Sequence, residues 1–149
     1  MKYIMFTLLF LFSGLVFSQA NNTCNNLDCV DEEFKNKYFV KYYDILNKAL
    51  NAAKGCKDTS QLDEVLEFTS KIVKKGARER MAQFIEKEFI LNPTCFFSAF
   101  KRISTEARTK SEYYLANPRL INKSKIYIIL EDYSSQYPAL VQSILNHKL

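Results

Sequence analysis

Apolar residues recur every three or four positions through most of the chain, which is the spacing of an amphipathic α-helix. In segment 28–54 they fill about half of the helical wheel, and a face this broad predicts a helix that packs against more than one neighbour. Asp28 is a suitable N-cap for this helix, and Gly55 is the residue type that ends one.

Six further helices are predicted from the same spacing, each bounded by a glycine, a proline or a capping side chain. They cover 59 or 60 to 75 (Ser60 and Asp63 resemble a capping box), 77 to about 91, 93 onward, 106–116, 119–133 and 138 onward. Segment 126–130 alone also fits a strand, but its flanks and length favour a helix. The sequence therefore predicts an all-α, compact domain of about six or seven helices.

Two segments of the C-terminal half are similar to each other. Residues 89–95 and 114–120 each carry an aromatic helix end followed by Asn-Pro, with a spacing of 25 residues, and Tyr137-Pro138 is a fainter third instance. This pattern is typical of short paired-helix repeats of the α-solenoid kind. An irregular bundle with similar helix breakers explains it equally well.

The N-terminal 20 residues have the layout of a secretory signal peptide. Lys2 supplies the positive charge, an apolar run follows over 4–17, and small residues lie at Ser18 and Ala20. Cleavage after Ser18 and cleavage after Ala20 fit equally well. The run is too short to span a membrane, and no later stretch is long and apolar enough to do so. We therefore predict a secreted or periplasmic protein with a signal peptide at 1–20 and a single helical domain at 21–149.

The charge balance argues against nucleic acid as a partner. The chain has 21 basic and 16 acidic residues, a net charge of +5, and removal of 1–20 takes away only Lys2. An exported domain of so small a net charge lacks the strong basic excess of nucleic-acid-binding proteins.

Four cysteines in an exported chain predict disulfides rather than metal ligands: Cys24, Cys29, Cys56 and Cys95. A helix over 28–54 would be roughly 39 Å long, which is too far for a Cys29–Cys56 bridge unless that helix bends sharply. The next two helices should be antiparallel and return Cys95 towards Cys56. We therefore predict the pairs Cys24–Cys29 and Cys56–Cys95. With a single histidine, His147, we expect no metal site and no cofactor.

Catalytic motifs give little support to an enzyme. The chain has no glycine-rich phosphate loop, nucleophile elbow or His-Glu-x-x-His motif, and His147 lies near the end of the chain. Glu88 falls on the apolar face of the third predicted helix, where an unpaired charge is costly. It is either a buried acid with a functional role or the ion-pair partner of a nearby Arg or Lys. Alternatively, the apolar face of this helix is one residue narrower and does not include Glu88. We favour the structural explanations.

Basic and aromatic side chains give weak candidates for a contact surface. Basic residues gather at the turn between the second and third helices and again near the fourth and fifth, and tyrosine is enriched at protein interfaces. One tyrosine of each adjacent pair must point away from the apolar face. The candidates are Tyr43, Tyr113, Arg78, Arg80, Lys101 and Arg102. Acidic neighbours interleave with the basic ones, so a solvated mixed face is the favoured explanation of the charges.

Three functions are compatible with these features. The leading hypothesis is a non-enzymatic protein that binds another protein, as an inhibitor or a toxin-neutralising partner. The alternative is a carrier of an apolar small molecule between helices, suggested by the Phe96, Phe97 and Phe100 group. The third is an acid-type hydrolase that uses Glu88 with another carboxylate.

Overall fold

The computed structural model describes residues 24–147, so the predicted signal peptide lies outside the described residues. Within 24–147 the chain forms eight α-helices and no strand, which confirms the all-α prediction. The helices are α1 (Glu32–Lys37), α2 (Phe39–Ala53), α3 (Thr59–Phe68), α4 (Lys75–Leu91), α5 (Pro93–Phe100), α6 (Thr105–Ala116), α7 (Lys123–Tyr133) and α8 (Pro138–Asn146). No helix of this part of the chain is long and apolar enough to cross a membrane.

The predicted first helix is divided in two, so the prediction of one unbroken helix over 28–54 was wrong. Residue 28 lies in a turn, because the Cys24–Cys29 disulfide closes a tight loop just before α1. The N-cap is Asp31, whose carboxylate accepts a hydrogen bond from the Phe34 N–H at 2.7 Å. The backbone then bends at Tyr38 (φ −122°, ψ 52°), and α2 starts at the next residue.

The second predicted helix differs from the prediction in its N-cap and ends earlier, at Phe68. Asp58 caps α3 by accepting the Ser60 N–H at 2.9 Å, so the expected capping box does not form. The hydrogen bonds that Ser60 gives to Asp58 lower the pKa of this carboxyl. Helix α3 is followed by a 3₁₀ turn over Thr69–Lys71. Two lysines from other helices donate to carbonyls of this turn: Lys35 Nζ to Lys71 O and Lys110 Nζ to Ser70 O, both at 2.6 Å.

The two glycines at predicted helix ends have different roles. Gly55 adopts a left-handed conformation (φ 72°) after α2, as a helix-ending glycine does. Gly76, by contrast, is the second residue of α4 rather than a stop. A Cβ at Gly76 would lie 2.8 Å from the Tyr43 hydroxyl oxygen, so the glycine leaves room for a tyrosine ring against the helix backbone.

The helix breaks of the C-terminal half share one backbone conformation. Asn92, Asn117 and Tyr137 have φ between −138° and −125° and ψ between 53° and 61°. Pro93 and Pro138 begin the next helix directly, as predicted, whereas four residues separate Pro118 from α7. The solenoid-like repeat stays a prediction.

Helix α4 is the centre of the domain and contacts α2, α5, α6 and α7. Its Phe89 ring lies edge-on to two fully buried rings of α5, with centroids 5.6 Å from Phe96 and 5.4 Å from Phe97. Phe97 in turn stacks on Tyr137, with centroids 4.7 Å apart. This aromatic cluster fills the space between α4, α5 and the C-terminal helices.

Both predicted disulfides are confirmed, with Cα separations of 5.5 Å for Cys24–Cys29 and 6.4 Å for Cys56–Cys95. The first ties the N-terminal turn together. The second joins the end of α2 to the start of α5.

We expect the two bridges to contribute unequally to stability. The loops that they close have sequence separations of 5 and 39. In the chain-entropy treatment, loss of the longer bridge costs about 4 kcal/mol and loss of the shorter about 2 kcal/mol. Urea unfolding of the Cys56→Ser/Cys95→Ser and Cys24→Ser/Cys29→Ser variants measures both. Equal losses, or a larger loss for the short loop, would contradict the expectation.

Candidate functional site

Two surface clefts lie on either side of the first half of α4, and Glu79 lines both of them. We call them the cationic cleft and the aromatic groove. The cationic cleft has a volume of about 600 Å³ and is lined by Ile72, Val73, Lys75, Arg78, Glu79, Thr109, Lys110, Tyr113, Tyr114, Arg119 and His147. The aromatic groove is about 710 Å³ and is lined by Phe39, Val40, Tyr43, Gly76, Glu79, Arg80 and Gln83.

The cationic cleft carries a strong excess of positive charge. Of the described residues that line it, four side chains are basic and one, Glu79, is acidic. Glu79 faces Arg119 at 3.9 Å, the outer limit of an ion pair. Among residues 24–147, neither Lys75 nor Arg78 takes part in an ion pair. Lys110 is paired with Glu106 at 3.1 Å. In the described chain, Lys75 and Arg78 are therefore the two cations of the cleft that no carboxylate compensates.

The pKa of Tyr114, which lines the cleft, is shifted by its surroundings. Burial raises the pKa of the Tyr114 hydroxyl, while the nearby guanidinium groups of Arg78 and Arg119 act to lower it. Both arginines line the cleft together with Tyr114, although one belongs to α4 and the other to the segment before α7.

The aromatic groove is built on Tyr43. Its ring centroid lies 4.8 Å from that of Phe39 and 5.1 Å from the guanidinium carbon of Arg80. Arg80 also donates to Asn47 Oδ1 at 2.6 Å, which fixes its side chain over the ring. Of the adjacent tyrosines, Tyr42 is fully buried and Tyr43 is half-buried.

The six residues predicted for partner binding do not form one surface. Arg78 and Tyr113 line the cationic cleft, and Tyr43 and Arg80 line the aromatic groove. Arg102 instead makes two hydrogen bonds to Asp63, at 2.6 and 2.8 Å, and these bonds raise the pKa of its guanidinium. Lys101 lies over the ring of Tyr137, 4.5 Å from its centroid. These last two cations are engaged within the fold.

Glu88 is buried, and its partners are not the Arg or Lys that the favoured ion-pair explanation expected. One carboxylate oxygen accepts the Gly55 N–H at 2.9 Å and the Asn92 side-chain amide at 3.0 Å. Within the described residues it forms no ion pair with a lysine or an arginine. Glu88 thereby holds the turn after α2 against the end of α4, a positioning contact that accounts for its burial.

Glu86 is a buried carboxylate that the sequence did not indicate. It is fully buried and accepts three backbone N–H groups, those of Arg119, Leu120 and Ile121, at 2.8, 2.8 and 3.1 Å. The segment that was predicted to begin the sixth helix bends instead over residues 119–121, whose N–H groups bind this carboxylate. The sequence could not indicate this role, because the partners of Glu86 lie more than 30 residues further along the chain.

A third buried carboxylate, Glu112, brings together the residue types of a hydrolytic triad. Its Oε2 accepts the Ser143 hydroxyl at 2.7 Å and lies 3.2 Å from His147 Nε2. The order differs from that of a triad, in which the histidine lies between the serine and the acid. Here the serine donates to the carboxylate, so this geometry does not activate it as a nucleophile. Glu112 Oε1 is buried without a hydrogen-bond partner in the described chain.

In the part of the chain that the structure describes, no three His, Cys, Asp or Glu side chains are grouped to bind a metal ion. All four cysteines are in disulfides. No family model, curated protein or solved structure matches the chain significantly.

We expect Glu86 to be the most sensitive carboxylate of α4. In Glu86→Ala three N–H groups lose a charged acceptor, and a hydrogen bond to a charged group contributes about 1.5–3 kcal/mol. We therefore expect a loss of about 3 kcal/mol or more in the free energy of unfolding, measured in urea. Glu86→Gln keeps one acceptor oxygen and should lose less. The matched control is Glu79→Ala on the same helix, whose partly exposed side chain should change stability by less than about 1 kcal/mol. Similar losses in all three variants would contradict this role.

Proposed function

We propose that this is an exported, non-enzymatic helical protein that binds another protein through the aromatic groove, as an inhibitor or a toxin-neutralising partner. The observation that carries the proposal is the group formed by Phe39, Val40, Tyr43 and Arg80. It combines exposed apolar side chains with a rigid tyrosine and arginine, the residue types that dominate binding energy at protein interfaces.

The apolar part of the group is exposed to an unusual degree. Val40 is 82% exposed and Phe39 is 55% exposed, although they are neighbours at the start of α2. Single exposed apolar residues are ordinary on a protein surface. A cluster that also lines a groove is typical of an interaction site, because a partner would remove its apolar area from water.

The polar part of the group is held in place before any partner arrives. The Tyr43 ring lies between Phe39 and Arg80, its hydroxyl lies against Gly76, and Arg80 is fixed by Asn47. Side chains that are already ordered lose little conformational entropy on association. The groove therefore favours a partner that presents an apolar side chain to Val40 and Phe39 and a carboxylate to Arg80.

Export rests on the predicted signal peptide at 1–20 and is supported by the two disulfides, which persist in oxidising compartments. The absence of a membrane-crossing helix within 24–147 is compatible with it.

The observations behind the other two hypotheses have structural explanations. Phe96, Phe97 and Phe100, which suggested a carrier, are fully buried and pack on one another and on Phe89. Glu88, which suggested a hydrolase, holds the turn at Gly55. No specific observation now favours either function.

The binding proposal predicts a large effect of a charge in the groove. Val40→Asp should weaken partner binding by about tenfold or more, since it replaces a buried apolar contact with a desolvated carboxylate. The matched control is Leu91→Asp at the other end of α4, where the parent side chain is 70% exposed. Both variants should keep the parent's thermal stability, because neither parent side chain is in the core.

The parent, Val40→Asp and Leu91→Asp proteins are each used as bait in the same extracellular or envelope fraction. Quantitative mass spectrometry measures the proteins captured on each bait. We expect a stoichiometric partner on the parent and on Leu91→Asp that is depleted on Val40→Asp. The proposal is wrong if no such partner is recovered repeatedly, or if every captured protein binds the two variants equally.

Export predicts a defined new N-terminus. The full chain, expressed in a secretion-competent host, should appear outside the cytoplasm beginning at Gln19 or Asn21, as read by mass spectrometry of the N-terminal peptide. Leu8→Arg/Leu9→Arg, which interrupts the apolar run, should block this processing. A parent protein that retains Met1 and Lys2 and stays in the cytoplasm would refute export.

A further inference from the structure

We propose that the cationic cleft is a second binding site, separate from the aromatic groove, and that it takes a small organic anion in which an acidic group is joined to a flat apolar body. The acidic group would lie between Arg78 and Arg119. The apolar body would lie against Val73 and Tyr113. Neither residue set is needed for the protein-binding role proposed above.

The charge of the cleft supports an anionic ligand. Among the described lining residues, Lys75, Arg78, Lys110 and Arg119 are basic and Glu79 is acidic. Lys110 and Arg119 are paired with Glu106 and Glu79, whereas Lys75 and Arg78 form no ion pair within residues 24–147. Like charges brought together in a cleft raise the local positive potential and attract anions. The first turn of α4 adds to this field, because its N-cap, Lys74, gives it no side-chain hydrogen bond and the turn contains no acidic residue.

The geometry supports recognition by two arginines. Arg78 comes from α4 and Arg119 from the segment before α7, and both line the same cleft together with Tyr114. Two guanidinium groups from different elements thus border one concave surface. A guanidinium is a planar fork of donors that matches the oxygens of a carboxylate, sulfonate or phosphate.

The cleft walls support an apolar or aromatic body on the ligand. Val73 is 53% exposed and Tyr113 is 43% exposed, and both line the cleft beside Ile72. A volume of about 600 Å³ lies within the usual range of small-molecule sites, about 300–1,000 Å³. The combination of exposed apolar walls and basic side chains fits a compact amphiphilic anion better than an inorganic ion.

The cleft is also fixed in shape by contacts outside it. The three N–H groups bound to Glu86 hold residues 119–121, and with them the backbone of Arg119. On the opposite wall, Lys110 is anchored by its bond to Ser70 O at 2.6 Å. A site whose cations are positioned before binding loses little entropy when the ligand arrives.

The test is a titration of the folded, disulfide-bonded protein with naphthalene-2-sulfonate, followed by ¹⁵N–¹H correlation spectra. We expect saturable shifts concentrated in residues 72–79, 109–114 and 119. Inorganic sulfate, which has the charge alone, and 2-naphthalenemethanol, which has the ring alone, should each bind at least about tenfold more weakly.

Variants assign the charge to the two arginines. Arg78→Gln and Arg119→Gln should each weaken naphthalene-2-sulfonate binding by about tenfold, because each removes a charged hydrogen-bonding partner. The matched control is Arg80→Gln, two residues along α4 and in the other cleft, which should bind as the parent does. Thermal unfolding of each variant establishes that the fold is kept.

The proposal is overturned by any of three results: the absence of saturable shifts in the cleft residues, equal binding of 2-naphthalenemethanol, or unchanged binding by both Arg78→Gln and Arg119→Gln. Val40→Asp should bind naphthalene-2-sulfonate as the parent does. A failure of the protein-binding proposal would therefore leave this result unaffected, and the converse also holds.

Discussion

The arrangement of this domain depends on one buried carboxylate. Glu86 is fully buried on the central helix and would be costly there without partners. It is accommodated because the chain turns back after α6 and directs three successive N–H groups, from residues 119–121, to its two oxygens. The carboxylate and the three N–H groups thus satisfy each other's hydrogen bonds, and these bonds hold the α6–α7 connection against α4.

Glu88 fastens the opposite side of the same helix. Residues two positions apart are rotated by about 200° on a helix, so Glu86 and Glu88 point to different neighbours. Glu88 binds the turn at Gly55, beside the Cys56–Cys95 bridge. Helix α4 is therefore held by polar contacts to a segment that precedes it and to a segment that follows it, while its apolar side chains fill the core between them. This explains why a helix with two buried acids can lie at the centre of the domain.

The same two anchors position the candidate sites. The hold on residues 119–121 brings Arg119 to the surface of α4 that also carries Arg78, and so builds the cationic cleft. The bend at Tyr38 starts α2 at Phe39, which leaves this ring and Val40 in water, while Tyr43 one turn later lies over Gly76 of α4. Both clefts thus follow from how other elements meet the first half of α4.

The sequence by itself determined the helical class and most helix ends, because these follow from local spacing and from Pro and Gly chemistry. The disulfide pairing was also predicted correctly, although the unbroken helix over 28–54 that excluded Cys29–Cys56 is divided at Tyr38. The sequence marked Glu88 as a position where an unpaired charge would be costly, but not its uncharged partners. It misplaced the boundaries at 28–31, 68–76 and 119–123. A disulfide closes the turn at the first, two lysines bind carbonyls of the 3₁₀ turn at the second, and Glu86 binds three N–H groups at the third. Only the tertiary structure decided which basic side chains line the cationic cleft and which are bound to a carboxylate of the fold. The sequence does not distinguish Arg78 from Arg102 in this respect. Arg102 is hydrogen-bonded to Asp63, whereas Arg78 lines the cationic cleft. The residues around each arginine come from segments that are distant along the chain.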